Sequence, residues 1–280
     1  MTAACAAAFS NHPDPAVAVG ETVGSVLDRI DPHPSVVLVL AAGPSAAALV
    51  PIADAVGGLL APEVLIASAA PAVIGGLEHR AAPSGFVVVG INVDGPVEPV
   101  RIGTGEPLPA AGCGGPLLLF GDASVGFGPR PVAVGVGAVA SGQTRLVHDG
   151  LVATDGTVGV GFPPGAAERF EFLLPAPADI PDPFASPEGV DIAAELAPEL
   201  SGDTIPVARP FDPGAGAGLL LFGTPSTLVA AADRFDLELA VMRFPGALAG
   251  AAGRVIHPAP APGVSADHRL VGLVIGPDDG

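Results

Sequence analysis

Val36-Val37-Leu38-Val39-Leu40, Leu117-Leu118-Leu119-Phe120 and Leu219-Leu220-Leu221-Phe222 are three short, purely apolar runs, and the sequence around them repeats. Downstream of each lies a stretch of small residues: Ala67-Ser68-Ala69-Ala70-Pro71-Ala72-Val73-Ile74-Gly75-Gly76, then Gly137-Ala138-Val139-Ala140-Ser141-Gly142, then Ala249-Gly250-Ala251-Ala252-Gly253-Arg254-Val255-Ile256. A second apolar run closes each copy, at Phe86 to Val89, Val158 to Phe162 and Leu270 to Ile275. Continuous apolar runs of this length between turn residues predict strands buried on both faces. The pattern therefore predicts an α/β protein of mixed β-sheet flanked by helices, built from repeated strand-helix-strand-strand units. Small side chains let backbones approach each other or a ligand closely. The runs are thus candidates for a binding surface, and tight core packing is the competing reading.

Between these markers the local signals are specific. Asp14 and Pro15 precede Val19, Val23, Val26, Leu27 and Ile30, an apolar stripe with a capping residue and a first-turn proline, which predicts a helix. Ser45 to Leu60 has helical spacing through Leu49, Ile52, Val56 and Leu59. Pro51 requires that helix to start near Leu49 or to kink. Strands are expected at Val64 to Ser68 and Phe86 to Val93. In the second copy only Gly121 to Arg130 separates Phe120 from Pro131-Val132-Ala133-Val134, so that copy is abbreviated. Asp149-Gly150 between apolar pairs predicts a tight hairpin, and Asp155-Gly156 offers a second. Five prolines between Pro175 and Pro187 exclude a regular element there. They divide the chain into lobes of residues 1–174 and 188–280, joined by a linker over 175–187. In the second lobe, Ser226 to Phe235 reads as a helix.

Composition narrows function. With 280 residues the chain can bury roughly three quarters of its unfolded surface. A formal net charge of -18, from 29 acidic and 11 basic residues, repels phosphate backbones and anionic headgroups, so nucleic-acid and membrane partners are not expected. Every basic residue is Arg. Without Lys there is no Schiff-base nucleophile and no P-loop lysine, and no cofactor is predicted. Such Ala, Gly, Pro and Arg usage matches the coding bias of a high-GC bacterial genome. Cys5 and Cys113 show no metal-type spacing, which suits a reduced, cytoplasmic protein. Pro34 to Ala53 carries no charge, but Gly43-Pro44-Ser45 splits it into strand, turn and helix rather than a membrane span.

Catalytic signatures are lacking. Ser124, in Gly121-Asp122-Ala123-Ser124-Val125-Gly126, has the wrong spacing for a nucleophile elbow, and neither Gly135-Gly137-Gly142 nor Gly214-Gly216-Gly218 forms a dinucleotide fingerprint. His12, His33 and His257 precede proline, which favours extended backbone. His257 differs from the other two in ending a small-residue run. His79, His148 and His268 adjoin acids or arginines and read as solvated strand ends. Arg254 stands inside the third run, and its guanidinium fork can grip a carboxylate bidentately.

In chain order these segments resemble the FIST sensory domain. Val36 to Ala42 looks like its first strand, Val64 to Gly76 is similar to its Gly-Cys-Ser-Ala-Ala-Gly-x-x-Gly-Gly segment, Asn92 to Ile102 fits the strand that follows, and Gly137 to Val160 looks like its Gly-x-Ala-Ser-Gly hairpin. Ile192 to Leu200, Gly202 to Pro213 and Gly218 to Pro258 resemble a shortened C-terminal region, whose closing Gly-Glu-Ile-Gly-Pro motif falls on Gly253 to Pro258. The family's Cys position holds Ala67 and its acidic position holds Arg254. The resemblance implies a stand-alone, non-enzymatic sensor in signal transduction. It would bind a small molecule, such as an amino acid or related metabolite, and act through a separate signalling protein. Its ligand-binding candidates are Ser68, Gly75, Gly76, Ser141, Gly142, Gly250, Gly253, Arg254 and His257. The alternatives are a non-catalytic scaffold or protein-interaction module and, ranked behind both, a hydrolytic enzyme, which would need His257 with Asp122 or Asp267 in hydrogen-bond reach.

No basic cluster offers counterion release, so a gel-shift assay at physiological salt is expected to show no retained DNA or RNA. Tight binding would overturn the charge argument.

Overall fold

Each of the three apolar runs becomes the central strand of its own sheet. The computed structural model describes residues 4–75, 78–103, 106, 114–121, 132–137, 146–148, 150–153, 155–173, 218–223, 247–252, 254–255 and 269–276. In chain order its elements are β1 (Ala4–Ser10), α1 (Pro15–Leu27), β2 (Val36–Ala42), α2 (Pro44–Ala47), α3 (Leu49–Leu60), β3 (Val64–Ala70), β4 (Val73–Gly75), β5 (Glu78–Ala82) and β6 (Gly85–Asn92). There follow β7 (Glu98–Ile102), β8 (Leu117–Gly121), β9 (Val132–Gly137), β10 (Leu146–His148), β11 (Leu151–Ala153), β12 (Thr157–Gly161) and β13 (Ala167–Leu173), and finally β14 (Gly218–Gly223), β15 (Ala247–Ala252), β16 (Arg254–Val255) and β17 (Arg269–Ile275).

Three mixed sheets result. The first runs β1-β6-β2-β3-β10-β11, the second β7-β12-β8-β9-β16, and the third β13-β17-β14-β15-β4-β5. Strand predominates and helix is minor among the described residues, which corrects the expected α/β balance. The expected division at 175–187 does not coincide with the sheets. The third sheet takes β4, β5 and β13 from before those residues and β14, β15 and β17 from after them. Residues 175–187, the segments Ile192 to Leu200 and Gly202 to Pro213, and the helix expected at Ser226 to Phe235 lie outside the described residues.

The repeat is carried by register. In every sheet the central strand pairs in parallel with the next strand of its unit and antiparallel with the strand that closes the unit. One row of paired residues makes the equivalence concrete. In the first sheet it reads Phe9, Val87, Leu40, Ser68, Leu146. In the third it reads Glu171, Val271, Phe222, Ala251, Val73. In the second it reads Arg101, Val158, Phe120, Val136, Val255. Copies one and three thus follow the same strand path, and the second copy follows it with a shorter connection between its parallel strands.

The last strand of each row belongs to another unit. The chain leaves β3 in the first sheet and enters β4 in the third, where Val73 pairs with Ala251. It leaves β15 in the third sheet and enters β16 in the second, where Arg254 pairs with Gly137. From β9 in the second sheet it passes to β10 in the first, where Leu146 pairs with Ser68. The exchange closes a cycle. The Asp149-Gly150 hairpin joins β10 to β11 as expected. Asp155-Gly156 does not form a second hairpin, because β11 belongs to the first sheet and β12 to the second.

One apolar core collects residues from all three sheets, including Leu38 and Leu40, Leu118 and Phe120, and Leu220 and Phe222. Phe120 and Phe222 meet edge to face, with ring centroids 5.7 Å apart and planes at 76°. That geometry suits the quadrupoles of the two rings. Each fully buried side chain of this size contributes about 1.5–3 kcal/mol of transfer free energy. The alternate residues of the first sheet, Val37, Val39, Ala41, Leu65, Ala67 and Ala69, face the other way and pack on Val19, Val23 and Val26 of α1 and Leu49, Ile52 and Val56 of α3. Helix α1 begins where the Asp14 carboxylate accepts a 2.9 Å hydrogen bond from the Ala16 amide. Helix α3 begins at Leu49, which leaves Pro51 in the first turn, where it costs no intrahelical bond.

The close fit generates two predictions. A Cβ at Gly250 would collide with the Leu221 carbonyl oxygen on the neighbouring strand, whereas one at Gly20, on the exposed side of α1, would meet nothing within 4 Å. Gly250→Ala should therefore destabilise the fold by at least about 2 kcal/mol. Gly20→Ala should stabilise it by about 0.5–1 kcal/mol. Denaturant unfolding measures both changes.

The second prediction concerns Cys5 of β1, a free buried thiol whose pKa burial pushes from 9.0 to about 12. Folding therefore favours the protonated thiol. Its contribution is intact below pH 9 and is lost as pH rises toward 12, at up to about 1.4 kcal/mol per pH unit. The chain has no Lys or Tyr to titrate in that window. The alkaline loss of stability should shrink in Cys5→Ala, and identical pH profiles would refute it.

Candidate functional site

Strand exchange joins the first and third small-residue runs and sets the third against Gly137, where the second begins, although these segments are far apart in sequence. The Ala252 amide of the third run donates a 2.7 Å hydrogen bond to the Ala72 carbonyl of the first. Arg254 of the third run pairs with Gly137, where the second begins. Ser68 of the first pairs with Leu146, just beyond the second. Each junction lies at the carboxyl ends of a parallel strand pair, and small residues end all three pairs: Ala42 and Ala70, Gly121 and Gly137, Gly223 and Ala252. At the first crossing Ala72 is buried, and its carbonyl is taken up by the Ala252 amide.

The candidate residues fall into distinct environments. Ser68 is buried in β3, and its hydroxyl donates to the Ala69 carbonyl at 3.3 Å. Gly75 ends β4 opposite Ala249, and Gly250 lies opposite Ile74, so these two candidates are near neighbours on adjoining strands. Both are buried, and the space a side chain would take is filled by protein: Val87 at Gly75, and the Leu221 carbonyl at Gly250. Arg254 opens β16, where its backbone faces the last residue of β9. Gly76, Ser141, Gly142, Gly253 and His257 lie outside the described residues, as do Asp122, Ser124 and Asp267. His12 and His33 are exposed, and His33 has φ 64°, left-handed where its following proline favours extended backbone. His148 corrects expectation. It is buried, 8% exposed, because β10 is inserted between β3 and β11 instead of ending at the surface.

Register also exposes a repeat that the residue-by-residue reading passed over. Leu146, Val255 and Val73 occupy equivalent positions, opposite Ser68, Val136 and Ala251 respectively. This aligns Arg145-Leu146-Val147-His148 with Arg254-Val255-Ile256-His257, and both with Ala72-Val73-Ile74-Gly75. The first two share an Arg-apolar-apolar-His pattern, a signal visible in the sequence once the exchanged strands are aligned. Arg145 and His257 are themselves outside the described residues.

A surface cleft of about 220 Å³ is lined by Ala53, Asp54, Gly57, Ala61, Pro62, Leu65 and Gly150. No described group of three His, Cys, Asp or Glu side chains is arranged to hold a metal ion. No described helix is long and apolar enough to cross a membrane. No protein-family model matches the chain, and no curated protein matches it.

Proposed function

We propose that this protein binds a small anionic metabolite without transforming it, and that it serves as a sensory component acting through a separate partner. The observation that carries this reading is the pairing of Arg254 with Gly137 at the carboxyl ends of β8 and β9. Ligands of open sheets with parallel strands favour the crevice outside the carboxyl ends. An arginine at that position supplies the bidentate fork that a carboxylate or phosphate needs, and small neighbours let the ligand reach backbone amides. The repeat alignment adds Arg145 as its counterpart. In this reading the ligand is an amino acid or a related carboxylate, as the FIST resemblance implies.

One observation favours a second reading, a non-binding scaffold. Ala67, Ser68, Ala69, Ala70 and Val73 of the first run, and Ala249 to Ala252 of the third, are buried. If the runs serve only to let strands cross, Arg254 has no ligand.

A thermal-shift screen with amino acids and small carboxylates, followed by calorimetry on the wild type, Arg254→Ala and Arg254→Lys, separates the readings. Binding should weaken by about 2 kcal/mol, roughly 30-fold, in Arg254→Ala, and recover only in part in Arg254→Lys. Equal affinities in all three proteins would remove the anchoring role. A fall in ligand-free melting temperature in Arg254→Ala would favour the scaffold.

A further inference from the structure

The three most exposed large apolar side chains among the described residues are Leu59, Leu151 and Val152, at 59%, 57% and 49%. All three belong to the segments that form the 220 Å³ cleft. Leu59 lies between its lining residues Gly57 and Ala61, and Leu151 and Val152 follow its lining residue Gly150. Leu59 lies on the face of α3 opposite Gly57 and Ala61, so the exposed apolar surface beside the cleft is that of Leu151 and Val152, and such surface on an acidic protein marks an interaction site.

Position in the sheet adds a second element. β11 ends the first sheet, and among the described residues it pairs only with β10. Leu151 and Val152 are consecutive, so they face opposite sides of the strand, and both are exposed. Both faces are thus wet at Leu151 and Val152, while the last residue of the strand, Ala153, is buried in the shared core. Natural edge strands are blunted by shortness, charge, proline or a cover, and of these β11 has shortness, with three residues. Leu151-Val152-Ala153 has no charge and no proline, which suits β-augmentation, the addition of a partner's strand to an open edge.

The cleft specifies the partner's chemistry. Its walls are Ala53, Gly57, Ala61, Pro62 and Leu65, and its one ionisable side chain is Asp54. Asp54 makes no hydrogen bond or ion pair with another described residue. A mixed polar and apolar lining with a single carboxylate accommodates a cationic side chain, that of Lys or Arg. Glu63 and Asp155 are exposed nearby in sequence, and the whole chain carries -18. Charge of this sign disfavours a second copy and attracts a basic segment.

We infer that β11 and the Asp54 cleft form a docking surface for an extended, basic segment of a partner protein, which adds a strand to β11 and places a Lys or Arg side chain in the cleft. This surface is independent of the Arg254 reading, since Arg254 belongs to the second sheet. The test is calorimetry of the full chain with the peptide acetyl-Lys-Val-Lys-Val-Lys-Val-amide, beside the same peptide with Glu for Lys. The basic peptide should bind saturably, and more weakly as salt rises. Affinity should fall roughly tenfold in Asp54→Asn and again in the Leu151→Ser, Val152→Ser double variant. Both sets of substitutions are at exposed positions and leave the core intact. Amide resonances of 151–153 should shift on binding. Equal binding by the Glu peptide, or undiminished binding by both variants, would overturn the proposal. Self-association of the wild type that disappears in the double variant would assign the surface to a second copy and also overturn it.

Discussion

Antiparallel pairing across the sheet boundaries, β4 on β15, β16 on β9 and β10 on β3, is the contact on which the remaining structure depends. A sheet edge is a row of unpaired backbone donors and acceptors, and burying one unpaired is costly. Each unit covers the exposed side of its neighbour's parallel strand with a strand of its own. Because the donation runs from first sheet to third, third to second and second to first, every sheet both gives and receives. The chain-entropy cost of ordering is then shared by a structure in which no sheet is complete without another. The common core of Leu40, Phe120 and Phe222 ties the three central strands together on their inner faces.

The same constraint explains the composition of the crossings. Within the sheets, Gly250, which has a carbonyl oxygen of β14 where its side chain would be, and Gly218, which has the Cys5 sulfur there, show how little space remains. Small residues at these points are therefore accounted for by packing, without a ligand. The proposed binding role rests on Arg254, whose backbone pairs with Gly137 at the end of β9.

Much of the fold was legible because hydrophobic runs and turn residues speak directly to local structure. Val36 to Leu40, Leu117 to Phe120 and Leu219 to Phe222 identified the central strands. Asp14-Pro15 located the start of α1, and Asp149-Gly150 located a hairpin. What could not be read was which sheet a strand joins. Ala67 to Gly76 appears as one uninterrupted small-residue run, yet it contains the end of β3, a crossing at Pro71-Ala72, and β4 in a different sheet. Asp155-Gly156 has the spelling of a hairpin turn but connects strands of two sheets. β1, five of whose seven residues are Ala or Cys, has weak strand propensity and is held by its full pairing with β6. Of the site, the Arg254 position was legible as a charge among small residues. The burial of His148 and the correspondence of Arg145 with Arg254 depend on long-range register, which one sequence does not display.

Native-state hydrogen exchange tests the cyclic exchange most directly. If the exchanged strands lock the three sheets into one cooperative unit, amides of Val73–Gly75 and Leu146–His148 should exchange only through global unfolding. Their opening free energies should match those of the central strands β2, β8 and β14 and shift in parallel with added denaturant. Exchange of these strands through a low-energy local opening, with the central strands still protected, would show that the sheets stand independently and would contradict the interlock.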